Sequence, residues 1–145
     1  MATTVFIIKP DAVSRHMTGR ILATVEAAGF TIREMGLVQL SLADAQQFYA
    51  VHRERPFFAD LCRFMSSGPC VPCLLEGGAD AIPKLRELMG ATDPAAAAPG
   101  TLRAEFGTDK QSNAVHGSDG PDTARAEMEF WARKLGWKLA PAVTH

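Results

Sequence analysis

Hydrophobic residues along the chain occur in short runs, which glycine, proline and polar turns separate into alternating strands and helices. Thr3 to Ile8 is rich in β-branched and aromatic residues and predicts a strand that the following proline ends. Thr18 to Ala28 predicts a helix with Thr18 as its N-cap, and Gly29 lies where such a helix commonly ends. Thr31 to Leu40 alternates partially, which indicates a second strand.

The middle of the chain predicts two helices, a strand and a further helix. A capping signal at Ser41 to Asp44 opens a helix that carries the pattern as far as His52. A second helical run begins after Pro56. Cys70 to Leu75 is an apolar strand candidate, and Asp80 to Met89 has the spacing of a helix.

The last third of the chain predicts a loop, a short strand and a closing helix. Pro94 to Gly100 is bracketed by prolines and predicts an ordered loop with a single helical turn. Asn113 to His116 suits a short strand, and Pro121 suits the first turn of the last helix. This alternation predicts an α/β or α+β fold, with residues 1–145 forming one domain.

Composition and charge exclude several classes of protein. Hydrophobic residues make up 47% of the chain and charged residues 21%, which is usual for a globular domain. A net charge of -1 argues against a dedicated nucleic-acid binder, although a local cluster of cations could still hold a small polyanion. No basic start precedes the first apolar run, and no run approaches the roughly 20 apolar residues of a membrane span. We therefore expect a cytoplasmic protein with no membrane partner.

Two of the three cysteines, Cys70 and Cys73, have the spacing of a redox or zinc pair. They lie on a predicted strand, where positions three apart point to opposite faces. A zinc site would also need a second ligand pair, and none has the required spacing. We expect both thiols, and that of Cys62, to be inert and mostly buried. Pro72 weakens this strand because proline has no donor for the ladder.

His116 is the candidate nucleophile. It lies between a strand and a helix start, and the glycine after it leaves room beside the ring. Imidazole can act as a nucleophile at neutral pH without an activating base. If the last helix begins near Gly120, Glu127 lies on the face that returns toward His116, and Ser118 could bridge the two. Spacing alone is a weak signal, since a lone His-Gly-Ser is more often a turn.

Positive side chains near the ends of elements form a second candidate cluster, made of Lys9, Arg86 and Arg103. Solvated surface charge is the ordinary interpretation of each one. Together they would bind phosphate, with forked contacts from arginine and a point charge from lysine. Thr92 and Asn113 could add neutral hydrogen bonds. Neither glycine-rich nucleotide-binding fingerprint occurs, so a P-loop or Rossmann site is not expected.

Six segments along the chain form a recognisable set. The segments are Ile8-Lys9-Pro10-Asp11-Ala12-Val13, Arg55-Pro56-Phe57-Phe58, Ser67-Gly68-Pro69, Leu88-Met89-Gly90-Ala91-Thr92-Asp93-Pro94, Pro99-Gly100-Thr101-Leu102-Arg103 and Asn113-Ala114-Val115-His116-Gly117-Ser118-Asp119. They occur in order over about residues 3 to 134, and although each is modest, six in register are specific. Together they resemble the nucleoside diphosphate kinase family.

The resemblance implies a fold and a reaction. The fold is a ferredoxin-like sandwich, in which helices cover a four-stranded antiparallel sheet. The reaction is ping-pong: a nucleoside triphosphate, mainly ATP, gives its γ-phosphate to Nδ1 of His116, and a nucleoside diphosphate collects it. Mg²⁺ should arrive on the nucleotide phosphates rather than in a protein cage. The family also implies a homo-oligomer, either a hexamer or a tetramer.

The resemblance also implies roles for individual residues. Ser118 and Glu127 position the ring of His116, and Tyr49 supports the region around it. Stacking of the base on Phe57 would explain broad use of bases and sugars, since every base offers a π face. The implied nucleotide-binding residues are Lys9, Arg86, Arg103 and Thr92 for the phosphates, Asn113 for the ribose and Phe57 for the base. Lys9 and Arg103 would also serve the sugar side or the transition state.

One departure from the family pattern concerns the base pocket. Lys110 stands where the family usually has a small apolar residue, and its alkyl stem could replace that contact.

Two other functions remain open: an inactive homologue that senses nucleotides or serves as a scaffold, and a regulatory nucleic-acid binder, which the charge balance disfavours. Trp137 and Leu139 are either core residues or interface anchors.

Overall fold

A computed structural model of the protein describes residues 2–139, so Met1 and residues 140–145 of the expected domain lie outside it. The strands are β1 (Ala2–Ile8), β2 (Thr31–Met35), β3 (Val71–Gly77) and β4 (Val115–Gly117). The helices are α1 (Pro10–Ser14), α2 (Thr18–Ala27), α3 (Leu42–Phe48), α4 (Phe58–Met65), α5 (Ala81–Met89), α6 (Leu102–Phe106) and α7 (Pro121–Leu135). Single 3₁₀ turns occupy Ala50–His52 and Pro94–Ala96.

The four strands form one sheet in the order β2-β3-β1-β4, and every neighbouring pair is antiparallel. The expected four-stranded antiparallel sheet is therefore confirmed. β1 pairs with β3 along its whole length and with β4 at its C-terminal end, where Ile7 lies opposite His116. Residues directly opposite each other project to the same face of a sheet. His116 therefore lies on the face that Ile7 helps to bury.

Helices cover both faces of the sheet, and alternate residues of β1 divide between two cores. Phe6 and Ile8 pack with residues of α2, α5 and α6 on one face. Val5 and Ile7 pack with residues of α3, α4 and α7 on the other. Because β1 is buried on both sides, its continuous run of apolar residues follows directly from its place at the centre of the sandwich. Trp137 belongs to the core that contains Val5 and Ile7, and Leu139 packs against the same core. Within the chain, both residues therefore act as core residues.

Several local predictions are confirmed. The Ser41 hydroxyl accepts from the Asp44 N–H, and the Asp44 carboxylate accepts from the Ser41 N–H, which completes the capping box of α3. Gly29 has φ 98° just after α2, a left-handed conformation suited to glycine. The single helical turn expected after Asp93 is present at Pro94–Ala96.

Other boundaries were wrong. β1 ends before Pro10 as expected, but no helix was predicted where α1 begins at Pro10, a residue that suits the first turn of a helix. Met17 rather than Thr18 is the N-cap of α2. β2 ends at Met35 instead of Leu40, and only an isolated bridge from Val38 continues the pairing. The helix α3 ends at Phe48, so His52 lies in a separate 3₁₀ turn. No helix was predicted where α6 forms with a cap from Thr101.

Pro72 lies inside β3 without breaking it. It is opposite Ile7 of β1, and its carbonyl accepts from the Gly36 N–H on the other side. In an antiparallel strand the nitrogen and carbonyl of one residue point the same way. The missing N–H is therefore directed away from β1 and toward Gly36, so the pairing of β3 with β1 is intact and only the reciprocal bond to the Gly36 carbonyl is absent.

The cysteines are free and buried, as predicted. Cys73 packs in the core with Phe6, whereas Cys70 and Cys62 pack in the core on the opposite face. Burial raises the pKa of the Cys70 and Cys73 thiols to about 12. Thiols with such a pKa carry little thiolate at neutral pH and are poor nucleophiles and metal ligands.

Candidate active site

A cavity of about 440 Å³ opens beside β4 and collects most of the residues that the sequence nominated. Its walls come from α4, α5, α6, β4 and the segments between named elements, which lie far apart along the chain. The nominated residues that line it are Lys9, Tyr49, Phe57, Arg86, Thr92, Arg103, Asn113 and His116. The other two, Ser118 and Glu127, lie behind His116 and are hydrogen-bonded in its support.

The His116 ring is held through one of its nitrogens. Nε2 lies 3.0 Å from each carboxylate oxygen of Glu127, on α7. The Ser118 hydroxyl donates to Glu127 Oε1 at 2.8 Å, and the Val5 N–H donates to the Ser118 oxygen at 3.4 Å. Because a carboxylate only accepts, this network assigns the ring proton to Nε2. Nδ1 then carries the free lone pair, and residues 2–139 give it no hydrogen-bond partner.

Aromatic rings fix the plane of the imidazole. The Phe48 ring meets it edge-on with centroids 5.7 Å apart, and the Tyr49 ring does so at 6.0 Å. Edge-to-face packing of this kind restricts rotation of a ring. Tyr49 is only 5% exposed, and burial together with the charge of Glu127 holds its pKa well above the usual value, so the phenol is neutral.

Lys9 is a buried cation that the protein holds in place before any ligand arrives. Its Nζ donates to Gln111 O at 2.7 Å and to Asn113 Oδ1 at 2.8 Å, and it lies 5.2 Å from the centre of the Phe64 ring. Burial lowers the pKa of Lys9 to about 8, and the nearby carboxylate of Asp11 opposes that shift. The ammonium group is thus charged at neutral pH but close to losing its proton.

Two arginines complete the positive side of the cavity. Arg103 donates from Nη1 to Gly90 O at 3.1 Å and from Nη2 to Val115 O at 3.0 Å. Burial and the charge of Arg86 lower the Arg103 pKa to about 10, which leaves it protonated at neutral pH. Its Nε is buried without a hydrogen-bond partner among residues 2–139. Arg86 is more exposed and pairs with Asp119 at 2.9 Å.

Asn113 connects the walls of the cavity. Its carboxamide nitrogen donates to Thr92 O at 3.1 Å and to Lys110 O at 2.9 Å, while its oxygen accepts from Lys9. Both amide protons are therefore used within the protein. The structure gives Asn113 the role of orienting Lys9, which the sequence did not predict.

The outer part of the cavity is apolar and exposed. The Phe57 side chain is 48% exposed, and its ring centre lies 5.5 Å from that of His52. Lys110 lines the same cavity, so the departure from the family pattern does fall within the pocket. Other lining residues were not nominated from the sequence: His52, Leu61, Gln111, Val115, Gly117 and Asp119. Asp119 is the last residue of the segment 113–119 that carries His116, and its closeness to His116 in the sequence could have identified it as a site residue.

The arrangement is suited to transfer of an anionic group. An imidazole with a free nitrogen faces three cations across a space large enough for a small molecule. Within residues 2–139, no three His, Cys, Asp or Glu side chains cluster in a way that would hold a metal ion. Over the same residues no helix has the length and apolar composition needed to cross a bilayer.

The chain is similar in sequence and in fold to nucleoside diphosphate kinases. A family model described as "Nucleoside diphosphate kinase" matches residues 2–135. The chain is 56% identical over 135 residues to the nucleoside diphosphate kinase of Desulfovibrio desulfuricans, covering 93% of this chain and 96% of that one. The Aquifex aeolicus nucleoside diphosphate kinase structure superposes with a TM-score of 0.86 at 46% identity, covering 88% of this chain and 92% of that chain. The structure of the Halobacterium salinarum nucleoside diphosphate kinase in complex with CDP superposes with a TM-score of 0.85 at 37% identity, covering 90% of this chain and 86% of that chain.

Proposed function

The chain belongs to the nucleoside diphosphate kinase family, and we propose that His116 is the residue that carries its phosphoryl group. Enzymes of this family are phosphotransferases that work by ping-pong transfer through a phosphohistidine. The contact that supports the assignment is the pair of 3.0 Å approaches from Glu127 to His116 Nε2. It leaves Nδ1 as the nucleophile at the cavity.

In the first half-reaction the Nδ1 lone pair attacks the γ-phosphorus of a nucleoside triphosphate. The bond between that phosphorus and the β–γ bridging oxygen breaks, and the nucleoside diphosphate leaves with the bond electrons. The ring gains positive charge as the new P–N bond forms, and the Glu127 carboxylate stabilises it while keeping the Nε2 proton. In the second half-reaction a terminal oxygen of another diphosphate attacks the same phosphorus and restores the free ring.

The cations contribute alignment and charge stabilisation. Lys9 and Arg103 are buried and already oriented by protein carbonyls, so they need little rearrangement when a phosphate enters. The unpartnered Arg103 Nε–H offers an additional donor to a phosphate oxygen. Arg86 would exchange its partner Asp119 for phosphate, or share it. Phosphoryl transfer depends mainly on such positioning, since few bonds to protein change.

The family uses Mg²⁺, and the donor set of this cavity fits an ion that enters on the nucleotide. The cations of the cavity repel a free metal ion, and Asp119 offers a carboxylate at the phosphate end. Mg²⁺ prefers oxygen ligands and retains much of its water, so one carboxylate beside the phosphates suffices. When bound, the ion neutralises phosphate charge, and Asp119 is the residue that would contact its water shell.

The nucleoside would lie toward the exposed end of the cavity. Stacking on Phe57 and contact with the Lys110 stem support broad use of purine and pyrimidine bases. We propose ATP as the main donor. Asn113 would contact the ribose only through Oδ1, the oxygen that already accepts from Lys9. Thr92, whose carbonyl accepts from Asn113, would bind phosphate. Tyr49 would act by packing against the ring of His116.

Assembly and location complete the proposal. We propose one domain over residues 1–145 that forms a hexamer or tetramer. β2 is an edge strand, and Met35 (52% exposed) with Leu37 (70% exposed) beside it leaves apolar surface for a second copy. Light scattering of the purified protein decides between the two states, and a monomer contradicts both.

Free, buried thiols accord with a cytoplasmic location.

The experiment that tests the function is labelling with γ-³²P-ATP and Mg²⁺, followed by peptide mapping. We expect an acid-labile, base-stable label on the peptide that contains His116, and loss of that label in His116→Ala with nucleotide binding retained. Absence of label in the unaltered protein would favour a nucleotide sensor or scaffold. Turnover that survives His116→Ala would place the nucleophile elsewhere.

A further inference from the structure

A strained turn immediately precedes the strand that carries His116. Ala114 has φ 74°, and the Val115 N–H donates to Asn113 O at 2.9 Å. A bond between residues two apart around a φ near +75° is the rare, strained form of the γ-turn. An L-residue resists this conformation because its Cβ crowds the following carbonyl. Something outside the turn must therefore hold it.

The start of α1 supplies that support. The Ala114 N–H donates to Asp11 Oδ2 at 3.1 Å, and the Ala114 carbonyl accepts from the Lys9 N–H at 2.8 Å. Ala114 is fully buried, so water cannot replace either hydrogen bond. The backbone of the turn is thus attached through both its polar groups to the segment that begins with Lys9.

The turn determines the geometry of the site on both sides. Asn113, on one side, binds the Lys9 ammonium, and His116 follows two residues later on β4. Asp11 is not among the residues that line the cavity, so it acts through the backbone of Ala114 and not by contact with a substrate. Its second oxygen, Oδ1, is buried without a hydrogen-bond partner among residues 2–139. The hydrogen bond from the Ala114 N–H is the contact by which the carboxylate reaches the segment that carries His116.

We propose that Asp11 is a positioning residue for phosphotransfer. Its carboxylate holds Ala114 in the left-handed conformation and so sets His116 and Asn113 in register with Lys9. The proposal rests on the proposed role of His116. The competing role for Asp11 is electrostatic, since its charge also lies near Lys9. Asp11→Asn separates the two roles, because the amide oxygen still accepts from the Ala114 N–H while the charge is gone.

The test is rapid-quench phosphorylation of His116 at saturating Mg²⁺-ATP, with the label mapped by mass spectrometry. We expect Asp11→Ala to slow phosphorylation per folded protein by about tenfold to a hundredfold, the effect of a small misplacement of a nucleophile. Asp11→Asn should stay close to the unaltered rate. Asp80→Ala, which removes an exposed carboxylate at the start of α5, is the matched control. An Asn variant as slow as the Ala variant would establish the electrostatic role and overturn the proposal.

A glycine at the turn provides the decisive comparison. Glycine adopts a positive φ without strain, so the loss caused by Asp11→Ala should be several times smaller in an Ala114→Gly background. Equal losses in both backgrounds would overturn the proposal. If the single variant Asp11→Ala does not fold, the double variant Asp11→Ala with Ala114→Gly must fold and must become phosphorylated at His116. A double variant that fails to do so counts against the proposal. Absence of label at His116 in the unaltered protein would instead refute the proposed function.

Discussion

Both carboxylate oxygens of Glu127 lie 3.0 Å from Nε2 of His116, across the contact between α7 and β4. The protein thereby commits one ring nitrogen to its own structure, while the other has no hydrogen-bond partner among residues 2–139. Ser118 holds the same carboxylate from the side, so the orientation of the ring depends on three residues that are close in space.

Glu127→Gln should reduce the rate of His116 phosphorylation by at least about tenfold, equivalent to ~1.4 kcal/mol of transition-state stabilisation. The amide retains the size of the side chain but carries no charge to balance the ring as the P–N bond forms, and its nitrogen can donate to Nε2 and favour the wrong tautomer. Single-turnover kinetics measure the effect. Glu129→Gln, an exposed change on the same helix, is the control and should keep the full rate.

Ser118→Ala should have a smaller effect through the same carboxylate. The variant removes a hydroxyl donor to the Glu127 carboxylate, a charge-assisted hydrogen bond worth about 1.5–3 kcal/mol. Because Glu127 keeps its own contacts with His116, a several-fold loss of rate is expected. A double-mutant cycle with Glu127→Gln tests the connection, because residues in one network do not act additively. Fully additive losses would show that Ser118 acts independently of Glu127.

The pH dependence of kcat/KM should report Lys9 in the free enzyme. Burial lowers its pKa to about 8, so the ammonium group is present below that pH and is lost as the pH rises through it. We therefore expect kcat/KM for nucleotides to fall above about pH 8. In Lys9→Arg the charge persists to higher pH, so that decline should disappear even if the rate is lower throughout. An unchanged alkaline decline in the Arg variant would assign it to another group.

Phe57→Ala should weaken all nucleotides by a similar factor. Stacking contributes about 1–3 kcal/mol per base and does not distinguish among bases. KM should rise for purine and pyrimidine diphosphates alike, with kcat changed little, in a steady-state series over four bases. Val51→Ala, which trims an 82% exposed side chain outside the cavity, is the control. A loss confined to one base would show that recognition depends on hydrogen bonds at the base edge.

Lys110→Val should show how the departure in the base pocket affects affinity. If the alkyl stem of Lys110 replaces the small apolar residue usual in the family, the shorter apolar side chain should support the same stacking. Binding of several diphosphates, measured by calorimetry at low salt and at high salt, should then change by less than about threefold. A large gain or loss for one base alone would reveal a direct contact between the Lys110 ammonium and that base.

The parts of the site that follow from local pattern were predictable. Glu127 could be placed near His116 because a helix of known start fixes which residues share a face. The motif residues Lys9, Arg86 and Arg103 needed the family resemblance, because solvated charge is the ordinary fate of each one alone. Only the folded chain shows that they line one cavity.

Other features depend on long-range contacts and could not be foreseen. The left-handed Ala114 runs against its own propensity and exists because Asp11, about a hundred residues earlier, accepts from its N–H. Phe48 faces His116 only because α3 packs beside α7 on the same side of the sheet. The lowered pKa of Lys9 follows from its burial, which no local pattern reveals.

We expect His116 to receive the phosphoryl group on Nδ1, because Glu127 occupies Nε2. Heteronuclear NMR of the freshly phosphorylated protein, with ¹⁵N-labelled histidine, tests it directly through the coupling of ³¹P to a ring nitrogen. We expect the phosphorus to couple to Nδ1 of His116, while Nε2 keeps its proton. Phosphorus bonded to Nε2, or to any residue other than His116, would contradict it.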